Sequence, residues 1–305
     1  MRQARPPFAG PLRCGVTTTA SPAPAAPPAA AASAAPARAA TRVQLVVAFA
    51  IVYVVWGSTY LAMRIALEGL PPLVLGGVRF LVAGALLGGW VLVRERPAMP
   101  SARAWRWAAL TGLLLMGGGN LGVLLAEQRI TSGATALLAA SLALWMVLLD
   151  WARPGGERPT GLVLLGLALG FAGVALLVGP GELGGARGVD PVGAAYVLGG
   201  SLAWALGSLL SRAGARPSSP LLGSTMQMLC GGTLLLALAL ATGDLGRVAA
   251  APAPLDGRTL AALAYLVVAG SLVGFTAYVW LLQHAAPSKV ATYAYMNPVV
   301  AVLLG

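Results

Sequence analysis

Nine uncharged, apolar stretches divide this chain and leave it little else to fold with. They run from Val43 to Met63, Leu70 to Val93, Trp107 to Ala126, Ile130 to Leu149, Pro159 to Gly181, Pro191 to Ser211, Pro217 to Gly243, Thr259 to Gln283 and Val290 to Gly305, and only Arg79 interrupts one of them. As α-helix rising about 1.5 Å per residue, all but the last are long enough for a bilayer core of about 30 Å. The ninth is only just long enough and meets the end of the sequence without a polar flank, so a tenth helix is expected after Gly305. With 58% hydrophobic and 10% charged residues and a mean hydropathy of +0.82, the composition excludes a soluble domain with a water-facing surface. An all-α membrane protein is expected.

The net charge of +11 raises the question of a nucleic-acid partner, and its distribution answers it. Of the 20 Lys and Arg residues, 14 fall before the first run and in the even-numbered connections, while Arg64, Arg129, Arg187, Arg247 and Arg258 make up the other side. That asymmetry is the positive-inside pattern, with the N-terminus in the cytoplasm, and it assigns the charge to topology. Residues 1 to 40 hold 15 Ala and 8 Pro, without periodicity or large apolar residues, so the segment 1–42 is expected to be a disordered cytoplasmic tail. It has no continuous apolar core of a signal peptide. Cys14 in that tail and Cys230 in an apolar run form no disulfide framework.

The chain repeats itself. An offset of 148 residues lays Trp56 on Trp204, Arg64 on Arg212, Pro72 on Pro220, Leu73 on Leu221 and Gly84 on Gly232. Further along, the offset grows to 155, laying Gln128 on Gln283, as small loop insertions between two copies would require. The first copy holds an odd number of runs, so the second must enter the membrane from the opposite side: an inverted repeat. Two similar halves of opposite orientation can form two nearly equivalent conformations, one open to each side, which is the geometry of alternating access.

Two stretches carry a family resemblance: "WGSTYLAMRIALEGLPP" followed by "GGVRFLVAGALL", and "APSKVATYAYMNPVVAVLLG". Over Val43 to Gly305 the chain resembles the EamA-type transporters of the drug/metabolite transporter superfamily, with the strongest likeness to the YedA-like inner-membrane members. The resemblance implies a ten-helix carrier with both termini in the cytoplasm, made of two inverted repeats of five transmembrane helices, that exports amino acids, other metabolites or drugs. It also implies a Gly-Glu loop and a tenth helix past the ninth, which this sequence does not reach. Ala143 stands where the family commonly has a proline, matching Pro298 in the second copy, so the usual reason for a break in the fourth helix is missing.

Few residues in the runs are polar, and those few are the candidate site. Trp56, Thr59, Tyr60 and Met63 are spaced to share one helix face, and Trp204, Gly207, Ser208 and Ser211 are their repeat mates. They read either as interfacial anchors and packing residues or as a cavity wall, with aromatic faces and hydroxyls for an organic solute. Asn120 follows the run Gly117 to Gly119 and shares a face with Glu127; an amide in lipid needs a partner, in a neighbouring helix or in a solute. Tyr293 and Asn297 are one turn apart, and Pro298 frees a carbonyl near Ala294. Arg79 lies about 10 Å into the membrane, where a charge needs pairing, with Glu68 or Glu127 as the expected partner. Its repeat mate is Gln227. Arg64 and Glu68 read as boundary anchors, and His284 as an interfacial residue.

These observations converge on a secondary transporter exporting small organic metabolites, amino acids or drugs by alternating access. The competing expectation is a truncated or degenerate membrane protein without transport activity. Substrate-binding candidates are Trp56, Thr59, Asn120, Trp204, Ser208, Tyr278, Tyr293 and Asn297; Arg79 and Glu127 are coupling or structural charges. The domain division expected is a tail at 1–42, a first repeat at 43–181 and an incomplete second repeat at 190–305 with four of five helices. No catalytic constellation, phosphate loop, metal cluster or cofactor motif is present, so no enzyme, no cofactor and no metal are expected. The expected partners are a small-molecule substrate, the lipid bilayer and a second copy of the chain, with no nucleic acid, in a bacterial cytoplasmic membrane.

Overall fold

The computed structural model describes residues 41–156, 158–178, 189–214, 217, 219–251 and 255–304, and every regular element among them is helical. Residues 1–40 of the expected tail, with Cys14, the end of the fifth run past Val178, and Arg187 lie outside the described residues, while Thr41 and Arg42, expected in the tail, cap and open the first helix. Helix α1 spans Arg42–Leu67 and opens on a capping box, in which the Thr41 hydroxyl accepts from the Gln44 backbone and the Gln44 side chain answers to the Thr41 N–H. Helix α2 spans Pro72–Arg94, starting on a proline whose missing N–H costs nothing in a first turn. Then follow α3 (Ala102–Ala126), α4 (Ser132–Ala152), α5 (Gly161–Val178), α6 (Pro191–Ala213) and α7 (Pro220–Ala241). The last elements are a short α8 (Asp244–Ala249), α9 (Gly257–His284), a single turn α10 (Pro287–Val290) and α11 (Tyr293–Leu304).

Among the described residues, seven of these are long and apolar enough to cross a membrane: α1, α2, α3, α4, α6, α7 and α9. The sequence runs predicted nine. The other two, α5 and α11, are apolar with 18 and 12 described residues, and the ninth run begins at the last residue of α10, Val290, and continues as α11 from Tyr293. The outer surface is what lipid demands. Leu162 and Leu176 on α5 are 80% and 84% exposed, and Val43, Val93 and Leu240 stand out on other helices.

Two local departures from α-helix shape the interior. The middle of α3, Leu113–Asn120, and the middle of α9, Leu266–Phe275, are π-helical. Helix α4 breaks at Ala140, contrary to the expectation from its missing proline. The Ala143 N–H bonds to the Ala140 carbonyl three residues back, so the turn tightens without a proline.

Helices α2 and α7 cross where side chains are absent, and their contacts come in reciprocal pairs. A Cβ on Gly84 would lie 3.1 Å from Leu229, and one on Gly232 would lie 2.9 Å from Leu81. One on Gly77 would lie 2.7 Å from Leu236, and one on Gly88 3.0 Å from Thr225. Moving every residue by 148 positions turns each contact into its partner.

Candidate functional site

Trp56, Thr59, Tyr60 and Met63, the face of α1 singled out by its spacing, all line one cavity of about 90 Å³. Asn120 of α3, Trp204 of α6, Tyr293 and Asn297 of α11, and Arg79 of α2 line it too. The structure therefore brings together six of the eight substrate-binding candidates. Ser208 and Tyr278 sit behind the wall, and Glu127 lies outside the lining.

Trp56 is the centre of an aromatic cluster. Its ring meets Trp204 edge-on at 5.5 Å between centroids, Tyr293 edge-on at 5.0 Å and Tyr278 at 4.9 Å. Each such pair contributes about 0.5–1.5 kcal/mol beyond area burial. The indole N–H donates to the Gly270 carbonyl at 3.0 Å, so the ring is fixed in both position and rotation.

Trp204 is held by a closed ring of hydrogen bonds. Its indole N–H donates to the Tyr278 hydroxyl at 3.0 Å, the Ser208 and Tyr278 hydroxyls bond to each other, and Ser208 donates to the Trp204 carbonyl at 2.6 Å. With the Ser208 proton used on that carbonyl, Tyr278 must be the donor to Ser208. Every polar atom of the ring is then engaged, and the two residues act through Trp204 by holding its orientation.

Glycines in the π-helical segments make these positions available. A Cβ on Gly274 would lie 2.5 Å from the Trp56 ring, and a Cβ on Gly119 would lie 2.5 Å from the Trp204 ring. A Cβ on Gly270 would press on Thr59 at 3.0 Å, while the Leu115 side chain leaves no room for one on Gly207 at 2.9 Å. Helix α9 thus receives α1 as α3 receives α6. Small residues in a run, Gly270-Ser271 and Gly274, were the sequence signal for this wall, and the pattern of small residues four apart could have found it.

Arg79 meets neither expected carboxylate. Its Nε donates to the Ser271 hydroxyl at 2.8 Å, and its guanidinium carbon lies 5.0 Å from the Phe80 ring centroid. Glu68 instead sits 4.0 Å from Arg258, and the Glu127 carboxylate oxygens are buried without a hydrogen-bond partner, within electrostatic reach of Arg64 and the Tyr60 hydroxyl. The side-chain carbonyl oxygens of Asn120 and Asn297 are also buried and unpartnered at the cavity wall. A site with one cation, two free acceptors and aromatic faces is equipped to hold a solute that is anionic at one point and a hydrogen-bond donor at another.

At the rim beyond the spans, the Asp190 carboxylate caps α6 by accepting from the Val192 N–H at 3.0 Å and pairs with Arg129 at 3.2 Å. Those two partners, the backbone N–H first, hold its carboxyl below the usual range. Arg64 reaches Ser132 at 3.5 Å, and His284 stacks on Trp280 at 4.1 Å, both as boundary residues.

Comparison with known proteins agrees with the geometry. The model of the EamA-like transporter family matches residues 44–179 and 191–305. A protein of Escherichia coli (strain K12), described as the uncharacterized inner membrane transporter YedA, is 39% identical over 256 residues, covering 83% of this chain and 79% of its own. An uncharacterized transporter of Archaeoglobus fulgidus is 27% identical over 259 residues, covering 82% of this chain and 83% of its own. A protein of known crystal structure superposes with a TM-score of 0.68 over 87% of this chain and 88% of its own, at 20% identity, which speaks for the fold alone. This chain is a multi-pass membrane protein and belongs to the EamA-like transporter family.

Proposed function

We propose that the chain is a secondary carrier that exports small organic metabolites, amino acids or drugs by alternating access around the cavity at Trp56. The observation that carries this reading is the reciprocal seating of Trp56 on Gly274 and Trp204 on Gly119. The two tryptophans are 148 residues apart and the two glycines 155, the offsets of the sequence repeat, so one cavity is walled by corresponding parts of both halves. The paired contacts of α2 with α7, the π-helical middles of α3 and α9, and the division of the family match into two segments support the same inverted repeat, at 43–181 and 190–305. In that arrangement the chain supplies the first nine helices of a ten-helix carrier fold, with its N-terminus in the cytoplasm of a bacterial inner membrane.

Among the solute classes, amino acids suit the cavity best. Their carboxylate answers Arg79, their ammonium answers the Asn120 and Asn297 oxygens, and a flat side chain answers Trp56 and Trp204. The cavity of about 90 Å³ lies below the range of about 300–1,000 Å³ typical of ligand pockets, so loading requires the helices to part. Glu127 is the candidate for coupling to protons, reached from the cavity through Tyr60. No chemistry is asked of the protein, and it is not an enzyme on this reading. A screen of metabolite uptake into inverted vesicles, with and without a proton gradient, tests it: uptake of amino acids above protein-free vesicles is expected. Uptake confined to solutes without a carboxylate would set aside the assignment of Arg79.

A further inference from the structure

Gln227 occupies in α7 the position that Arg79 occupies in α2. It is 7% exposed, and its side-chain amide donates to the Thr111 hydroxyl of α3 at 2.9 Å and the Ser211 hydroxyl of α6 at 2.8 Å. Both hydroxyls have already given their protons away, Thr111 to the Trp107 carbonyl at 2.8 Å and Ser211 to the Gly207 carbonyl at 2.8 Å. Only lone pairs remain for Gln227, so its NH₂ must face them and its Oε1 must turn away. That oxygen is buried and has no hydrogen-bond partner.

Gln227 lines a second chamber, of about 220 Å³, between the start of α3, the end of α6, the start of α7 and the end of α9. This chamber is separate from the one at Trp56 and shares no lining residue with it. The ring of Trp107, against which Gly214 packs, forms one wall, and Gln283 and Met226 form others. None of the described residues that line it is ionisable. A buried acceptor without a partner is unfavourable until a donor reaches it. A carboxylate in the same place would set acceptor against acceptor at Gln227 Oε1.

We infer that this chamber is a second solute-binding site for small molecules that present an N–H donor, a primary carboxamide above all. The carboxamide donates to Gln227 Oε1, and its substituent lies against Trp107. The size of the chamber, under the range of about 300–1,000 Å³ for typical ligand pockets, restricts it to small molecules. The inference goes beyond the transport reading, because equilibrium binding reveals the site whether or not anything is carried.

Saturation-transfer NMR on the full chain in lipid nanodiscs, with benzamide as probe and benzoate as its anionic isostere, tests it. Benzamide is expected to bind at millimolar concentration and benzoate not to displace it. Gln227→Met keeps the shape and removes the acceptor, and should weaken benzamide binding about 3- to 10-fold, the worth of one hydrogen bond. Gly223→Phe, one turn before Gln227, should abolish binding by plugging the chamber, and stands in if the first variant does not fold. Gly166→Ala on α5, which lines neither cavity, should leave benzamide binding unchanged. No benzamide binding, equal binding of benzoate at the same place, or undiminished binding in Gly223→Phe would overturn the assignment.

Discussion

Replacing Gly274 with alanine tests the seating of Trp56 on one atom. The new methyl would lie 2.5 Å from the indole nitrogen, where ordinary contact begins at 3.4 Å, so the ring would have to withdraw about 0.9 Å. It has nowhere to go, because Trp204, Tyr278 and Tyr293 stand on its other sides at 4.9 to 5.5 Å between centroids. The bond from the indole to the Gly270 carbonyl, 3.0 Å long, is broken or bent by any such shift. Overpacking costs about 1–3 kcal/mol and the lost hydrogen bond about 1 kcal/mol, against a gain of about 1 kcal/mol in helix propensity. The net expectation is a loss of about 1–3 kcal/mol, read by thermal unfolding of the purified protein in detergent. Gly119→Ala should lose a similar amount, since its methyl would lie 2.5 Å from the Trp204 ring. Gly166→Ala on α5, with nothing within 4 Å of its Cβ, keeps the propensity gain without the clash and is the comparison. Should Gly274→Ala be as stable as Gly166→Ala, the account of Trp56 as a clamped wall is refuted.

Other expectations follow from single contacts. Arg79→Gln removes the only cation at the cavity wall among the described residues and should weaken solute binding about 10-fold or more, measured as the half-saturating concentration for uptake; an unchanged value makes Arg79 purely structural. Asp190, whose carboxyl is held low by the Val192 N–H and by Arg129, stabilises the fold above its unfolded pKa of about 3.9, and that contribution is lost as pH falls through the lower folded value. Unfolding temperatures of the native chain and Asp190→Asn should therefore converge below about pH 4, whereas a gap constant with pH would dismiss the ion pair. Glu127→Gln should make uptake indifferent to a proton gradient while leaving counterflow intact; a gradient response that persists rules Glu127 out as the coupling group.

The membrane class and the α1 face were legible because each is written locally in the sequence. Trp56, Thr59, Tyr60 and Met63 declare their shared face by spacing alone, and all four meet the cavity. Arg79 was legible as an anomaly but its partner was not. A search for a carboxylate led to Glu68 and Glu127, while the real neighbour is the hydroxyl of Ser271, 192 positions away in a helix of the other half. Ser208, chosen as a repeat mate of the α1 face, and Tyr278, named beside it as a solute contact, stand behind Trp204 in a hydrogen-bond ring that only the three-dimensional structure reveals. The π-helical segments and the break at Ala140 leave no mark in a hydropathy profile, since they arise where small residues let neighbouring helices come close. For the same reason Gly119 and Gly274 carry more of the site than their absent side chains announce.

Counterflow in proteoliposomes reaches the central claim most directly, because exchange of labelled for unlabelled solute needs a carrier with a binding site that faces each side in turn. Asn297 lines the cavity with a buried carbonyl oxygen that has no partner among the described residues. The account predicts saturable exchange by the native chain and its loss in Asn297→Leu, with the variant as well folded as the parent. Equal exchange by the two proteins would contradict it.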